Sequence, residues 1–325
     1  MYDCLRSAPR CRRAGLSQGF DIFDEDHRPA ESANRTVAHA ITRLETLREP
    51  FFLWLHVRPP HDPCEIPSEV FDSFYTQRGG GPTLQTHSRS SVLDHYALQE
   101  PTANYRVNGR GPELYTASMI QQLEAMYDGN IRQADIAFGK LMDFMNTSGL
   151  AERTVVVLGS DHGESMGEHR LFGHNELLQG IVRVPLLLRL PGRGHEVFSH
   201  PVMNVDIFPT ILALLGIRVE MPVRGIDLFQ TERGEYFQFA EYENKRTIKQ
   251  GNLKLILRGH ALDRVQLFDI AKDPLEKLNL AKSAPGITAN LLRLSRELRS
   301  LDSSQAPLLE ESRTLDELRA LGYIE

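Results

Sequence analysis

Between Val155 and Gly180 the chain reads VVVLGSDHGESMGEHRLFGHNELLQG, which sets Asp161 beside His162 and adds His169 and His174 shortly after. A carboxylate next to a neutral imidazole offers a divalent cation one hard oxygen and one nitrogen. Gly159 and Gly163 flank the pair and let the backbone turn tightly around it. The same residue types also suit a structural reading, with Asp161 capping a following helix and His162 packed as a core histidine. Upstream, His61 stands in PPHDP, just past the apolar run FFLWLHV that contains His56. As residues alone, His61 reads as a loop histidine and His174 as a helix-start histidine. His56 reads as packing within its run. His169 is open between a supporting and a structural role.

These side chains need elements to place them. PFFLWLHV (50–57), RTVVVLGS (153–160) and RVPLLLRLPG (183–192) are continuous apolar runs of the kind that form strands buried on both faces. ANRTVAHAITRLETL (33–47), the long stretch 113–149 and VDIFPTILALLG (205–216) have helical spacing, with Gly149 and Gly216 as terminators. Alternating strands and helices of this type predict an α/β fold with a largely parallel sheet flanked by helices. The three strands are expected to be neighbours, with Asp161 and His162 at a carboxyl end, where open α/β sheets bind ligands. Residues 76–112 have no sustained period and read as a long excursion loop. Beyond about residue 235, KRTIKQGNLKLILRG and VQLFDIAKD read as short antiparallel strands, followed by a polar helix over 285–301. The expected organisation is a core over 1–234 and a smaller sheet-plus-helix sub-domain over 235–325.

Composition narrows the function classes. The 325 residues are 41% hydrophobic and 25% charged, an ordinary globular balance. A net charge of −6 argues against a nucleic-acid partner, because neutralising phosphates needs a basic face. Cys4, Cys11 and Cys64 have neither metal-ligand spacing nor the look of a disulfide framework. No run approaches the roughly 18 apolar residues of a membrane span. The basic start MYDCLRSAPRCRR lacks an apolar stretch, so no signal peptide is expected and the chain as written reads as cytoplasmic.

The wider segment SDHGESMGEHRLFGHNELLQGIVRVPLLLRLPG resembles the metal-binding segment of the sulfatases, in the alkaline phosphatase superfamily. GLSQGFDIFDED (15–26), PFFLWLHVRPPHDPC (50–64) and residues 126–164 resemble sulfatase blocks in family order. VMNVDIFPTILALLGI (202–217), LFDIAKDPLEKLNL (267–280) and LRALGYIE (318–325) continue the series. A lone DHG is weak, but the joint order is specific. The resemblance implies an alkaline-phosphatase-like fold and hydrolysis of a small-molecule or glycan sulfate ester. It assigns Asp161 and His162 to a Ca²⁺ (or Mg²⁺) site. It also gives His61 a contact with the sulfate and the departing ester oxygen, and His174 a sulfate oxygen. Pro59 and Cys64 stand where that family's block has Asp and Tyr. Full-length relatives are often exported.

The resemblance also implies a formylglycine nucleophile made from the Cys or Ser of a C-x-P-S-R block, and two aspartates completing the cation's ligands. Neither is found in the 325 residues; in CLRSAPRCRR (4–13) the proline follows Cys4 at the wrong interval, and Asp24 and Asp26 belong to a different block. The expectation is a chain that begins after the nucleophile, inactive by itself, with an exposed apolar edge or cleft near Asp161. A non-catalytic binding protein of this family, or a phosphonate or phosphodiester hydrolase of the same superfamily, are the alternatives left open.

Overall fold

A computed structural model describes residues 2–3, 17–24, 33–61, 66–77, 103–107, 110–218, 223, 225–230 and 236–303. The described residues fall into two compact units, one drawn from 1–106 and 111–154, the other from 107–110 and 155–307. Cys4, Cys11, Cys64 and the terminal LRALGYIE lie outside the described residues.

The first unit holds a short parallel pair, β1 (Tyr2–Asp3) with β2 (Phe23–Asp24), and the helices α1 (Ala33–Leu44) and α2 (Ser68–Gln77). A hairpin of β3 (Ala103–Val107) and β4 (Arg110–Tyr115) follows, then the long helix α3 (Ala117–Thr147). α1 buries Ala33, Val37, Ala40 and Leu44, one stripe at helical spacing, and packs against α3. α2 packs on the same helix through Phe71 and Tyr75, and the Tyr75 hydroxyl accepts from Gln122 Nε2 at 3.3 Å. Gly129 of α3 must lack a side chain, since a Cβ there would sit 2.3 Å from Ile66 Cδ1. Thr116 caps α3, its Oγ1 accepting from Met119 N at 3.1 Å, and Gly149 ends the helix at φ 74°.

Three expectations change in this unit. Residues 113–115 belong to β4 rather than to the long helix. The stretch 76–112, read as loop, contains the end of α2, β3 and the start of β4, while 78–102 lie outside the described residues. The run 50–57 makes a single strand bridge, at Trp54, instead of a strand buried on both faces. Phe52 and Trp54 are 58% and 49% exposed, so the run is half-buried with period 2.

In the second unit β5 (Val156–Gly159) pairs with β8 (Leu186–Arg189) in antiparallel register, Val156 opposite Arg189 and Gly159 opposite Leu186. This corrects the parallel arrangement expected for these two strands. A parallel pair needs a crossover that is usually a helix. The connection here holds the ribbon β6 (Ser165–Met166) with β7 (Leu171–Gly173), a 3₁₀ turn at Glu168–Arg170 and the single-turn helix α4 (Gln179–Val182), and no longer helix. Leu187 of β8 is 59% exposed, an open apolar position on this pair. α5 (Ile207–Leu214) follows a turn at Asn204–Asp206. Buried Asp206 fixes that turn by accepting from Met203 N at 2.8 Å, Ile226 N at 2.9 Å and the Tyr236 hydroxyl.

The chain then forms an antiparallel meander, β9 (Gln238–Tyr242), β10 (Lys245–Gln250), β11 (Leu253–Arg258) and β12 (Arg264–Asp269), followed by α6 (Pro285–Ser303). This is the C-terminal sheet and helix the sequence predicts. β11 is buried on both faces, and its alternation divides them. Leu255 and Leu257 join Ile248, Leu267 and Leu291 of α6, whereas Ile256 packs with Leu178 and Phe268. Lys254 shares the Ile256 face and is 1% exposed, its Nζ 2.7 Å from Glu276 Oε1. Among the described residues no helix is long and apolar enough to cross a membrane.

Burial pushes the Lys254 ammonium down to about 8, against the opposing pull of the Glu276 carboxylate. An unfolded chain holds the same proton to about 10.4. Between those values the unfolded state binds more protons, so this group makes stability rise with pH across the window. Urea denaturation followed from about pH 8 to about pH 10 is expected to show that rise in the wild type and its loss in Lys254→Met. Parallel slopes in the two proteins would contradict it.

Candidate functional site

The segment 160–182 builds the site from short-range hydrogen bonds. Past β5, Ser160 Oγ donates to His162 O at 2.7 Å, and Asp161 Oδ1 accepts from His162 N at 3.0 Å, closing a tight turn. Asn204 Nδ2 reaches Ser160 O at 2.9 Å and ties the turn to the start of α5. Gly163 is required by close approach, because a Cβ there would lie 2.1 Å from Gly180 O. Its N–H donates to Ile181 O at 2.7 Å, so the Asp161–His162 turn rests on α4.

The histidines are oriented by what their Nδ1 atoms touch. His162 Nδ1 lies 2.8 Å from Gly163 O. A carbonyl can only accept, so Nδ1 carries the proton and Nε2 is the acceptor nitrogen of the neutral ring. His174 Nδ1 lies 3.2 Å from Glu164 Oε2, another acceptor, which imposes the same tautomer. The two rings stack with centroids 4.1 Å apart and planes 23° from parallel. They are partly exposed, at 28% and 23%, while Glu164 is 12% exposed. Both imidazoles are therefore held by the arrangement that metal-binding histidines use, a ring N–H fixed by a carbonyl or carboxylate.

Asp161 joins this pair on one side: its Oδ2 lies 3.7 Å from His162 Nε2. Ligands within about 2.0–2.6 Å of one ion lie at most about 5 Å from each other, so these two atoms fit one divalent cation. The Asp161 side chain is 63% exposed. His174 and His162 are thus brought together, with Asp161 alongside. His61 stands in the other unit, in the turn after Pro60, where its N–H donates to Arg58 O at 3.0 Å. His56 is half-buried in the extended run before it. His169 is tied to the loop after β12, its Nε2 2.7 Å from Leu275 O. It sits at φ 54° and Arg170 at φ 60°, a strained turn of two left-handed residues that are not glycine.

Two residues that matter here escaped the sequence reading. Glu164 orients His174, and its place directly after DHG was the available signal. Asn204 holds Ser160 from 44 positions away, which no local pattern discloses.

Comparison with known proteins identifies relatives over most of the chain. The family model described as Sulfatase matches residues 2–217, and that of N-sulphoglucosamine sulphohydrolase, C-terminal, matches residues 167–304. Choline-sulfatase of Rhizobium meliloti (strain 1021) is 30% identical over 292 residues, covering 84% of this chain and 54% of the relative. Arylsulfatase K of Homo sapiens is 26% identical over 272 residues, covering 75% and 50%. The chain thus spans about half the length of these relatives. Among solved structures, the phosphonate monoester hydrolase of Agrobacterium radiobacter aligns with a TM-score of 0.62 at 22% identity, over 84% of this chain and 62% of that one. BT4656, in complex with its substrate D-glucosamine-2-N,6-O-disulfate, aligns at 0.63 and 17% identity, over 87% and 72%. The folds are alike, and a family model extends across most of the chain, including the Asp161–His174 segment; the chain belongs to the sulfatase family.

Proposed function

We propose that Asp161, His162 and His174 form a sulfate-holding site of a sulfuric ester hydrolase, to which the family resemblance adds a role for His61. The observation that supports this most is a pair of stacked imidazoles, each oriented through Nδ1 by an acceptor, beside the Asp161 carboxylate. Similarity to a choline-sulfatase over most of the chain favours sulfate esters as the substrate class.

Sulfatases are generally metal-dependent. In this reading Asp161 Oδ2 and His162 Nε2 hold a divalent cation, Ca²⁺ or Mg²⁺, which when bound neutralises charge on the sulfuryl oxygens. His174, kept in place by Glu164, presents Nε2 to a sulfate oxygen and donates to it when the ring is protonated. His61 meets the departing ester oxygen and can supply its proton. The C-x-P-S-R pattern from which the family makes its formylglycine does not occur in these 325 residues. The substrate is a small-molecule or glycan sulfate ester.

The test is hydrolysis of 4-nitrophenyl sulfate and choline sulfate with Ca²⁺. The chain is extended at its N-terminus with a segment bearing the family's C-x-P-S-R block and expressed with the maturation enzyme for that nucleophile. Asp161→Ala and His174→Ala are each expected to lower kcat/KM by at least about 10²-fold, the scale of losing a group that stabilises developing charge. Turnover that survives both substitutions would overturn the reading. Faster hydrolysis of a phenyl phosphonate would move the assignment to phosphonates. Sulfate-ester binding without turnover would make this a binding protein.

A glycine pair tests the same geometry through the backbone. Gly163→Ala forces a Cβ into Gly180 O and is expected to cost about 1–3 kcal/mol of stability together with activity. Gly180→Ala, whose Cβ would meet nothing closer than Glu164 O at 4.0 Å, is expected to leave both nearly unchanged. Equal effects from the two would contradict the described packing of the turn on α4.

A further inference from the structure

The segment that carries His174 is gripped by one face of the C-terminal sheet, in order along β11 and across to β10. Residues of β11 at even positions share a side. Lys254 Nζ lies 3.3 Å from Gln179 Oε1, Ile256 packs on Leu178, and Arg258 Nε lies 3.0 Å from Glu176 Oε2. Lys245 is the cross-strand partner of Arg258, and its Nζ donates to Asn175 O at 2.6 Å. Four consecutive places on the sheet thus meet residues 179, 178, 176 and 175 in turn.

The loop after β12 adds a second grip. Glu276 is 3% exposed and sits at φ 53°, a left-handed conformation for a residue that is not glycine. Its Oε1 meets the buried Lys254 Nζ at 2.7 Å, and its Oε2 accepts from Gln179 N at 2.6 Å, the first residue of α4. One position earlier, Leu275 O meets His169 Nε2. The loop therefore holds the His174 segment five residues before that histidine and five residues after it. The same α4 turn supports Gly163 through Ile181 O.

Burying an ion pair this thoroughly is a poor way to gain stability, because desolvation offsets most of the attraction. Its geometric consequence is specific: it commits one carboxylate oxygen to a single backbone N–H at the base of the site. We propose that Glu276, fixed by Lys254 and assisted by His169, is a positioning residue that sets the placement of His174 and, through α4, of His162. This rests on the reading of those histidines as the sulfate-holding site, but its test does not require turnover.

The experiment uses the 325-residue chain with carbon-13-labelled histidine rings, comparing ring proton signals at one pH with thermal melting. In the wild type the His162 and His174 ring protons are shielded by their mutual stacking. Glu276→Ala is expected to move both sets downfield in the folded protein, as the stack opens. The double variant Lys254→Met with Glu276→Gln keeps an acceptor for Gln179 N–H and the buried volume, and is expected to restore the wild-type positions. Should Glu276→Ala fail to fold, Gln179→Pro removes the N–H donor together with the Oε1 contact to Lys254 Nζ, and Gln179→Ala, which removes the Oε1 contact alone, is the control expected to leave both signals in place. Proline is tolerated at the first position of a helix, and Leu178 is already extended at ψ 160°. Gln179→Pro is expected to show the same downfield shift. A lowered melting temperature with both histidine signals unmoved, in whichever of Glu276→Ala and Gln179→Pro folds, would reduce the pair to a structural role and overturn the proposal. If the signals move as expected while sulfate-ester turnover is absent from the longer protein, the positioning stands and the hydrolase reading fails.

Discussion

A neutral imidazole carries one proton on two nitrogens, so a neighbour that can only accept a hydrogen bond decides which nitrogen is left to bind. At this site the decision is made twice, by Gly163 O for His162 and by Glu164 for His174. Everything useful about the site follows from those two contacts. They place two acceptor nitrogens on stacked rings, near the Asp161 carboxylate. Neither contact is a long-range one, since Gly163 is the next residue after His162 and Glu164 lies in the same turn-rich segment.

Local geometry needs a rigid base, because turns with few buried apolar side chains open at low cost. The segment 160–182 has one short ribbon and one helical turn of its own. Its rigidity is borrowed from the C-terminal meander, whose β11 is buried on both faces. The odd positions of β11 make the apolar core under α6, and the even positions hold the site segment. A fold that looks like core plus appendage by sequence texture is therefore functionally continuous. A sheet formed by residues 238–269, well after Asp161 in sequence, holds the segment that carries His174.

The parts of this that the sequence disclosed are those written in adjacent residues. Gly159 and Gly163 around Asp161–His162 announce a tight turn, and the β10–β11 pattern KRTIKQGNLKLILR announces a hairpin. Strand direction was not legible, since an apolar run such as VVVLG reports burial and is silent on whether its partner runs parallel. The antiparallel pairing of β5 with β8 follows from a connection too poor in helix to make a crossover, which only the placed chain reveals. The run 50–57 misled in the same way: its apolar content hid a period-2 exposure of Phe52 and Trp54. Lys254 was legible in principle, as a lysine alternating into the apolar strand LKLILR, but its partner Glu276 lies in a loop beyond the next strand. Glu164 was overlooked because a carboxylate after DHG reads as solvated surface until a histidine ten residues on is brought to it.

The most direct measurement is the tautomer of the two rings. Long-range nitrogen-15 spectra of the histidine-labelled chain, recorded above the pH at which both rings have lost their second proton, distinguish a protonated ring nitrogen from an unprotonated one. The account requires His162 and His174 both to carry their proton on Nδ1, with Nε2 unprotonated and responsive to added Ca²⁺ at His162. A proton on Nε2 of either ring, with Nδ1 bare, would mean that Gly163 O or Glu164 does not hold that histidine, and the site as described here would not exist.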